Sequence, residues 1–371
     1  MSKKRNDSLA ASARKEIPAP LLPYLPRDPK KYRPAIGLIG CGGIGYHHLD
    51  VYKRVGYRVV ALCDIREERT KLLQKKFYPE ADIYTDYRAL LKRDDIEVVD
   101  VATLPAQRIK VLEAAIRARK HVLSQKPFVI DLDFGKKLAD LADKQGVILA
   151  VNQNGRWAPH FSYMRNAIRK GLIGEIISIN FVLNWDHTWV RKTPFNNVHH
   201  LILYDFAIHW FDIIAVFMPE EMPKKVYASV GYVQGQKLKP PIFGQVVIEY
   251  KNAQATLSFN GHSNFGKSDT TLVAGLKGTL LSTGPNENKQ KVTLFTPRGK
   301  ARPKLEGNWS TNGFHGTMAE LLCSIEERRQ PLNSARDNLR GLAICFAAVA
   351  SADSGQPMVP GKVRKLSKGA A

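Results

Sequence analysis

Asp205 and His209 stand four residues apart in the apolar stretch "LYDFAIHWFDIIAVFM". On a helix that spacing projects both side chains from one face, one turn apart. An unpaired carboxylate among apolar residues is costly, so two such groups in register favour a site over plain packing. An imidazole near its ordinary pKa takes and returns a proton at neutral pH, and a neighbouring carboxylate would orient it or bind a second hydroxyl. Lys126, before Pro127 in "HVLSQKPF", brings an ammonium that can hold a reacting oxygen as it becomes an alkoxide. A base, a donor at the oxygen and a hydride acceptor are what oxidation of a secondary alcohol requires. These residues supply the first two.

The acceptor has its own signature. "AIGLIGCGGIGYHH" contains Gly40-Cys41-Gly42-Gly43-Ile44-Gly45, a G-x-G-x-x-G run between an apolar strand and a helix. Gly40 permits the tight turn, Gly42 lets backbone approach a pyrophosphate, and Gly45 lets helix and strand pack closely. The helix N-terminus then offers N–H groups and partial positive charge to the phosphates. The next strand ends in "ALCDIREER", which places Asp64 nineteen residues beyond Gly45, where the acceptor for a ribose 2′-hydroxyl belongs. That carboxylate would repel a 2′-phosphate and favours NAD; Ile65 and Arg66 follow, and Arg66 keeps NADP as the alternative.

The elements that must carry these residues follow from periodicity. Apolar, β-branched runs at 36–39, 59–62, 98–101, 122–123 and 147–151 alternate with amphipathic stretches such as "REERTKLLQKKF", "AQRIKVLEAAIRAR" and "DLDFGKKLADLADKQG". That alternation predicts a doubly wound parallel sheet covered on both faces. Beyond it, a short helix in "YMRNAIRKGLIGEI" and one long helix across 203–218 precede period-two stretches. "GQVVIEYKNAQATLSFNG" reads as a hairpin within a large, open, mostly antiparallel sheet, and two C-terminal helices close the chain. The expectation is an α/β protein with an extended basic arm over 1–34, a dinucleotide-binding domain over 35–152 and a substrate-binding and oligomerisation domain over 153–371.

The 371 residues carry a formal net charge of +22. Residues 1–35 hold nine Lys/Arg against three acids and the last eleven hold four against none, with another basic cluster between Lys289 and Lys304. No RNP-like, zinc-finger or helix-turn-helix pattern accompanies this charge, so neither a specific nucleic acid nor a membrane is expected as partner. Cys41, Cys63, Cys323 and Cys345 form no CxxC pair and suit a reduced, cytoplasmic setting. There is neither a secretory h-region nor an apolar run of about 18 residues. His199, His200, Asp205 and His209 are irregularly spaced, without HxxH or HExxH, so no metal is expected.

With the glycine fingerprint, "HVLSQKPF", "VNQNGRWAPHF", "LYDFAIHWFD" and the closing A-x-x-x-S-x-x-x-G, the chain resembles the GFO/IDH/MocA oxidoreductases from about Ala35 to about Gly355. The resemblance implies a Rossmann domain, a C-terminal α/β domain used for homo-oligomerisation (dimer or tetramer), and NAD(P)-dependent redox chemistry on a sugar, inositol or related polyol. It carries over Lys126, with Gln125 where relatives have Glu, and part of a cofactor loop at Thr103, Leu104 and Arg108. Lys126 and Asn154 join the cofactor set. Arg156, Trp157, Trp185, His187, His199 and His200 are candidates to line a polyol pocket, because flat apolar faces with hydrogen-bonding tips suit such ligands. The alternatives are a NAD-dependent glycosidase or lyase acting through transient sugar oxidation, and a non-catalytic NAD sensor.

Overall fold

The computed structural model describes residues 15–366; the remainder of the expected basic arm, 1–14, lies outside them. Two compact units divide the described chain. One comprises Pro26–Trp157 and Ser310–Leu339, and the other the residues up to Leu25, Ala158–Trp309 and those from Arg340 on.

The first unit is built on β1 (Ala35–Ile39), β2 (Arg58–Cys63), β3 (Asp82–Tyr84), β4 (Ile96–Val101), β5 (His121–Gln125) and β6 (Leu149–Asn152). All pair in parallel, in the order β3-β2-β1-β4-β5-β6. β1 and β6 are buried at every residue, as strands covered on both faces must be. Only β3, short and half-exposed, has no counterpart among the apolar runs of the sequence. The crossovers are α1 (Gly43–Val55), α2 (Glu67–Phe77), α3 (Tyr87–Leu91), α4 (Pro105–Arg117) and α5 (Leu132–Gln145). α1 ends at Gly56 and α5 at Gly146, each left-handed (φ 79° and 69°) and donating back to the last carbonyls. Asp131 starts α5 by accepting from the N–H groups of Asp133 and Phe134. The core joins Ile36, Leu38, Val98 and Leu123 to Met318, Leu321 and Leu322 of α8 (Trp309–Glu326), a helix some 150 residues downstream of β6.

The second unit holds eight strands, β7 (Ile176–Asn184), β8 (Lys225–Gly231), β9 (Phe243–Glu249), β10 (Gln254–Asn260), β11 (Ser268–Gly275), β12 (Gly278–Gly284), β13 (Lys291–Thr296) and β14 (Gly299–Ala301), in the order β14-β13-β12-β11-β7-β10-β9-β8. Only β7 and β10 run parallel; the other pairs are antiparallel. β9 and β10 form the expected hairpin, closed by Tyr250 N–H on Ala253 O at 2.9 Å. α6 (Pro159–Arg169), α7 (Ile208–Phe217) and, from Arg340 on, α9 (Ala335–Ser354) belong here, and Ile17 N–H donates to Lys300 O to hold the described part of the arm. No helix among the described residues is long and apolar enough to cross a membrane.

One expectation is corrected. The single helix read across 203–218 is a π-helical turn, Leu201–Phe206, followed by α7. Ala207 N–H reaches back five residues to Ile202 O at 2.8 Å. Ile202 lies against the sheet where a Cβ at Gly244 or Gly261 would come within 2.9 or 3.2 Å of it. The close approach of this turn to two glycines accompanies the wider winding, and π turns of this kind are frequent at functional sites.

Candidate functional site

The strand order of the first unit reverses at β1 and β4, which opens a crevice at the carboxyl ends of those strands. The glycine turn occupies that edge. Gly40 has φ +108° and donates to Cys63 O at 2.7 Å, and a Cβ there would sit 2.7 Å from the Ala102 carbonyl carbon. A Cβ on Gly45 would lie 2.3 Å from Gly40 O, so helix and turn touch through the missing side chain. Gly42 and Gly43 behave differently. A Cβ at Gly42 would meet only the Arg69 guanidinium at 3.8 Å, and one at Gly43 nothing within 4 Å. Gly42 heads α1 without a side-chain cap, and no acidic residue occupies the first turn. Open backbone at an uncapped N-terminus is what a pyrophosphate needs.

Asp64, at the end of β2, ties this turn to the next helix. Its carboxylate accepts from Cys41 N–H at 2.8 Å and from Arg66 N–H at 3.0 Å. Each oxygen keeps a lone pair for a ribose hydroxyl. Ile65 is 77% exposed beside it, and Arg66 is the residue preceding α2. At the end of β4, Thr103 has a buried hydroxyl without a hydrogen-bond partner among the described residues, and Leu104 is exposed ahead of Pro105. An orphaned hydroxyl beside open glycine backbone fits a polar ligand in the crevice. Asn154 lies in the turn Asn154–Trp157 just beyond β6, its carbonyl close against Gly313.

Lys126 follows β5 on the same edge. Gln125 Oε1 accepts from the Lys126 N–H at 3.0 Å and from Asn152 Nδ2 at 2.9 Å. Asn152 gives its other proton to His48 Nε2 at 3.0 Å and accepts from Thr317 Oγ1 at 2.9 Å. With Nε2 accepting, the His48 proton sits on Nδ1 and is donated to Asp100 Oδ2 at 2.5 Å, where the Tyr52 hydroxyl also donates at 2.6 Å. His48, Asp100 and Asn152 are fully buried. This chain from α1 to the Lys126 backbone was not anticipated from sequence; its one visible signal is Asp100, an acid set among valines in strand Ile96–Val101, which carries its other acid, the exposed Glu97, near its start.

Three residues expected at the cofactor or substrate serve elsewhere. Arg108 is only 1% exposed, and its guanidinium donates to Thr103 O, Gln125 O at 2.6 Å and Pro127 O. It braces the loops after β4 and β5 from beneath. Arg156, also buried, binds Asp337 at 2.6 Å and Leu332 O. Trp157 packs under α8, where a Cβ at Gly316 would come within 2.1 Å of its ring. A buried guanidinium needs carbonyl or carboxylate partners and a large indole seeks a core, so both turn inward.

In the second unit, Asp205 lies in the π turn and is 8% exposed, while His209 opens α7, half-buried, with its ring edge-on to Trp309 at 5.5 Å. Trp185 packs edge-on against Trp210 and Phe259 at 5.4 and 5.9 Å. His187 stacks on Phe206 at 4.1 Å, and burial pushes its pKa down to about 4, so it is neutral at pH 7. His199 is exposed, whereas His200 is buried and reaches Asp353 at 2.7 Å. Burial lowers the His200 pKa, opposed by that carboxylate. The donor atoms that cluster within 4.8 Å belong to His199, His200 and Asp353, without Asp205 or His209. His200 Nε2 is thereby engaged by α9, while its buried Nδ1 has no hydrogen-bond partner among the described residues.

Residues 35–153 match the family model described as the oxidoreductase family with NAD-binding Rossmann fold, and residues 161–281 match the GFO/IDH/MocA C-terminal domain. The chain is 33% identical over 337 residues to the D-apiose dehydrogenase of Paraburkholderia graminis, covering 86% of this chain and 88% of that one. It is 25% identical over 323 residues to the myo-inositol 2-dehydrogenase of Thermotoga maritima, covering 84% and 94%. Among solved structures, an oxidoreductase from Agrobacterium radiobacter in complex with NAD+, L-tartaric acid and magnesium superposes with a TM-score of 0.80 at 20% identity, covering 89% of this chain and 99% of that one.

Proposed function

The chain belongs to the GFO/IDH/MocA oxidoreductases and is NAD-binding, and from that premise we propose that it oxidises a secondary hydroxyl of a sugar, inositol or related polyol. The observation that carries the reading is the shared carboxyl edge of β1, β4 and β5, which brings the open glycine turn, Thr103 and Lys126 to one crevice. Bound NAD would supply the hydride acceptor. Gly40, Gly42, Gly43, Ile44 and Gly45 hold its pyrophosphate by backbone, and Asp64 holds a ribose.

Lys126 donates to the substrate oxygen and favours the alkoxide as the proton leaves. His209 takes that proton, and Asp205 orients the imidazole or binds a second hydroxyl. The network through Gln125 and Asn152 fixes the backbone that presents Lys126. Lys126→Ala and His209→Ala should each lower turnover at least about a hundredfold, measured as NADH formation with product mass followed in parallel. Near-wild-type turnover in both variants refutes the assignment. Bond cleavage without net NADH identifies the glycosidase or lyase reaction instead.

The reading includes a homo-oligomer and a cytoplasmic setting. Ile177, Tyr227 and Val247, each 44% exposed on β7, β8 and β9, support the first, and four unpaired, buried cysteines support the second. A monomer by light scattering removes the oligomer.

A further inference from the structure

The loops at one end of the eight-stranded sheet enclose a cavity for which the proposed chemistry has no use. β7 and β10 are parallel neighbours, so the chain leaving Asn184 and the chain leaving Asn260 depart from the same edge. The segment between β8 and β9 returns there as well. The first two segments are tied by His187 N–H on Gly261 O and Ser263 N–H on Trp185 O, both at 2.8 Å. Together the three border a cavity of about 590 Å³, within the usual range for small-molecule sites.

Its lining combines one aromatic face with converging charge. Trp189 is 55% exposed and lines the cavity with an indole, the kind of flat apolar surface on which a carbohydrate ring can lie. Arg191 and Lys192 reach the cavity from the Trp189 segment and Lys237 from the β8–β9 segment. None of the three makes a hydrogen bond or ion pair with a described residue. Elsewhere, arginines of this unusually basic chain do find partners: Arg93 holds Asp82 and Asp95, and Arg336 holds Asp140 and Asp143. Asp186 is the one carboxylate of the lining, and its Oδ1 already accepts from the N–H and hydroxyl of Thr188 at 3.0 and 2.7 Å. With a net charge of +22, unpaired cations on an open surface mean little. Three that converge from two segments on a concave, indole-lined space mean more.

The aromatic wall also leads towards the proposed chemistry. Trp189 lies 6.4 Å from the His187 ring and 6.2 Å from Phe206. Phe206 is the chain neighbour of Asp205 in the π turn.

We infer that this cavity binds the anionic end of the substrate, a carboxylate or phosphate carried by a sugar or polyol whose carbon skeleton lies on Trp189. The guanidinium of Arg191 matches either group bidentately, and Lys192 and Lys237 act as point charges. A neutral polyol would leave all three cations unanswered. The inference rests on the oxidoreductase reading only in taking the bound carbohydrate to be the one oxidised.

Calorimetric titration of the full chain with matched probes tests it: D-galactose against D-galacturonate, and D-galactose against its 6-phosphate. At least one anionic probe should bind at least about tenfold more tightly than galactose, with the margin shrinking as salt rises from about 50 to about 300 mM. Preference for the acid alone assigns a carboxylate, and preference for the ester alone a phosphate. The triple variant Arg191→Gln, Lys192→Gln, Lys237→Gln changes exposed side chains only, so melting temperature and NAD affinity should hold while the preference disappears. Equal affinity within both pairs, including no binding by any probe, overturns the inference, as does a preference that survives in the variant. NADH formation separates the two readings. Charge-selective binding without NADH from any probe supports the cavity assignment independently of the dehydrogenase. NADH from neutral and anionic probes with equal KM in both proteins does the reverse.

Discussion

Replacing Asn152 by alanine removes the centre of the buried network behind Lys126. Asn152 is fully buried and makes three hydrogen bonds, to His48 Nε2, Gln125 Oε1 and Thr317 Oγ1. Their loss is unequal. Thr317 also reaches Phe314 O at 3.2 Å, and Gln125 Oε1 keeps the Lys126 N–H, but His48 Nε2 has no other partner among the described residues. An orphaned buried acceptor costs about 1–3 kcal/mol, and the space left by the amide adds about 1 kcal/mol. A total of about 2–4 kcal/mol corresponds to a fall of about 4–16 °C in Tm for a domain of this size. Turnover should fall about tenfold as the ammonium loses its fixed position, with the KM for NAD less affected. Thr317→Ser is the control: it keeps the hydroxyl that donates to Asn152 Oδ1 and removes only a methyl, so its Tm should fall by no more than about 4 °C. Differential scanning calorimetry reads both. An Asn152→Ala protein melting within about 2 °C of wild type, or a Thr317→Ser protein melting as low as it, refutes the argument from the orphaned imidazole.

Gly45→Ala puts a methyl 2.3 Å from Gly40 O, and Gly40 is itself wedged against the backbone of Ala102 and Thr103, so nothing nearby can yield. It should lower Tm and weaken NAD binding at least about tenfold, whereas Gly43→Ala, with nothing within 4 Å, should leave Tm unchanged; equal Tm values for the two contradict the packing role. Asp269 is 1% exposed with neither carboxylate oxygen hydrogen-bonded to a described residue, and burial, aided by the charge of Glu287, raises its pKa from 3.8 to about 7. Because the folded-state value is the higher one, its contribution is fully favourable below about pH 4 and is lost as pH climbs to about 7, about 2–4 kcal/mol in all. Asp269→Asn should flatten the Tm profile across that window and melt higher at neutral pH; parallel profiles for the two proteins would show the carboxyl to be indifferent.

What was legible in the sequence was local. The turn from β1 to α1 is made by contiguous residues: Gly40 needs a left-handed backbone, Gly45 needs contact without a Cβ, and Asp64 reaches the turn from the end of the adjacent strand. Apolar runs alternating with amphipathic stretches gave the parallel sheet for the same reason, since periodicity is a property of neighbours. What only the tertiary structure decided depends on residues far apart in the chain. His48, Asp100, Gln125 and Asn152 form one network, yet His48 and Asn152 are 104 residues apart. Arg108, Arg156 and Trp157 turn inward because carbonyls, Asp337 and Gly316 happen to lie there. The π turn bearing Asp205 packs its Ile202 against Gly244 of β9 and Gly261 just beyond β10, and α8 joins the first unit by burying Met318, Leu321 and Leu322 against it. Local backbone sterics can be read from a string of residues. The partner of a buried polar or bulky side chain cannot, because any residue can supply it once the chain has folded.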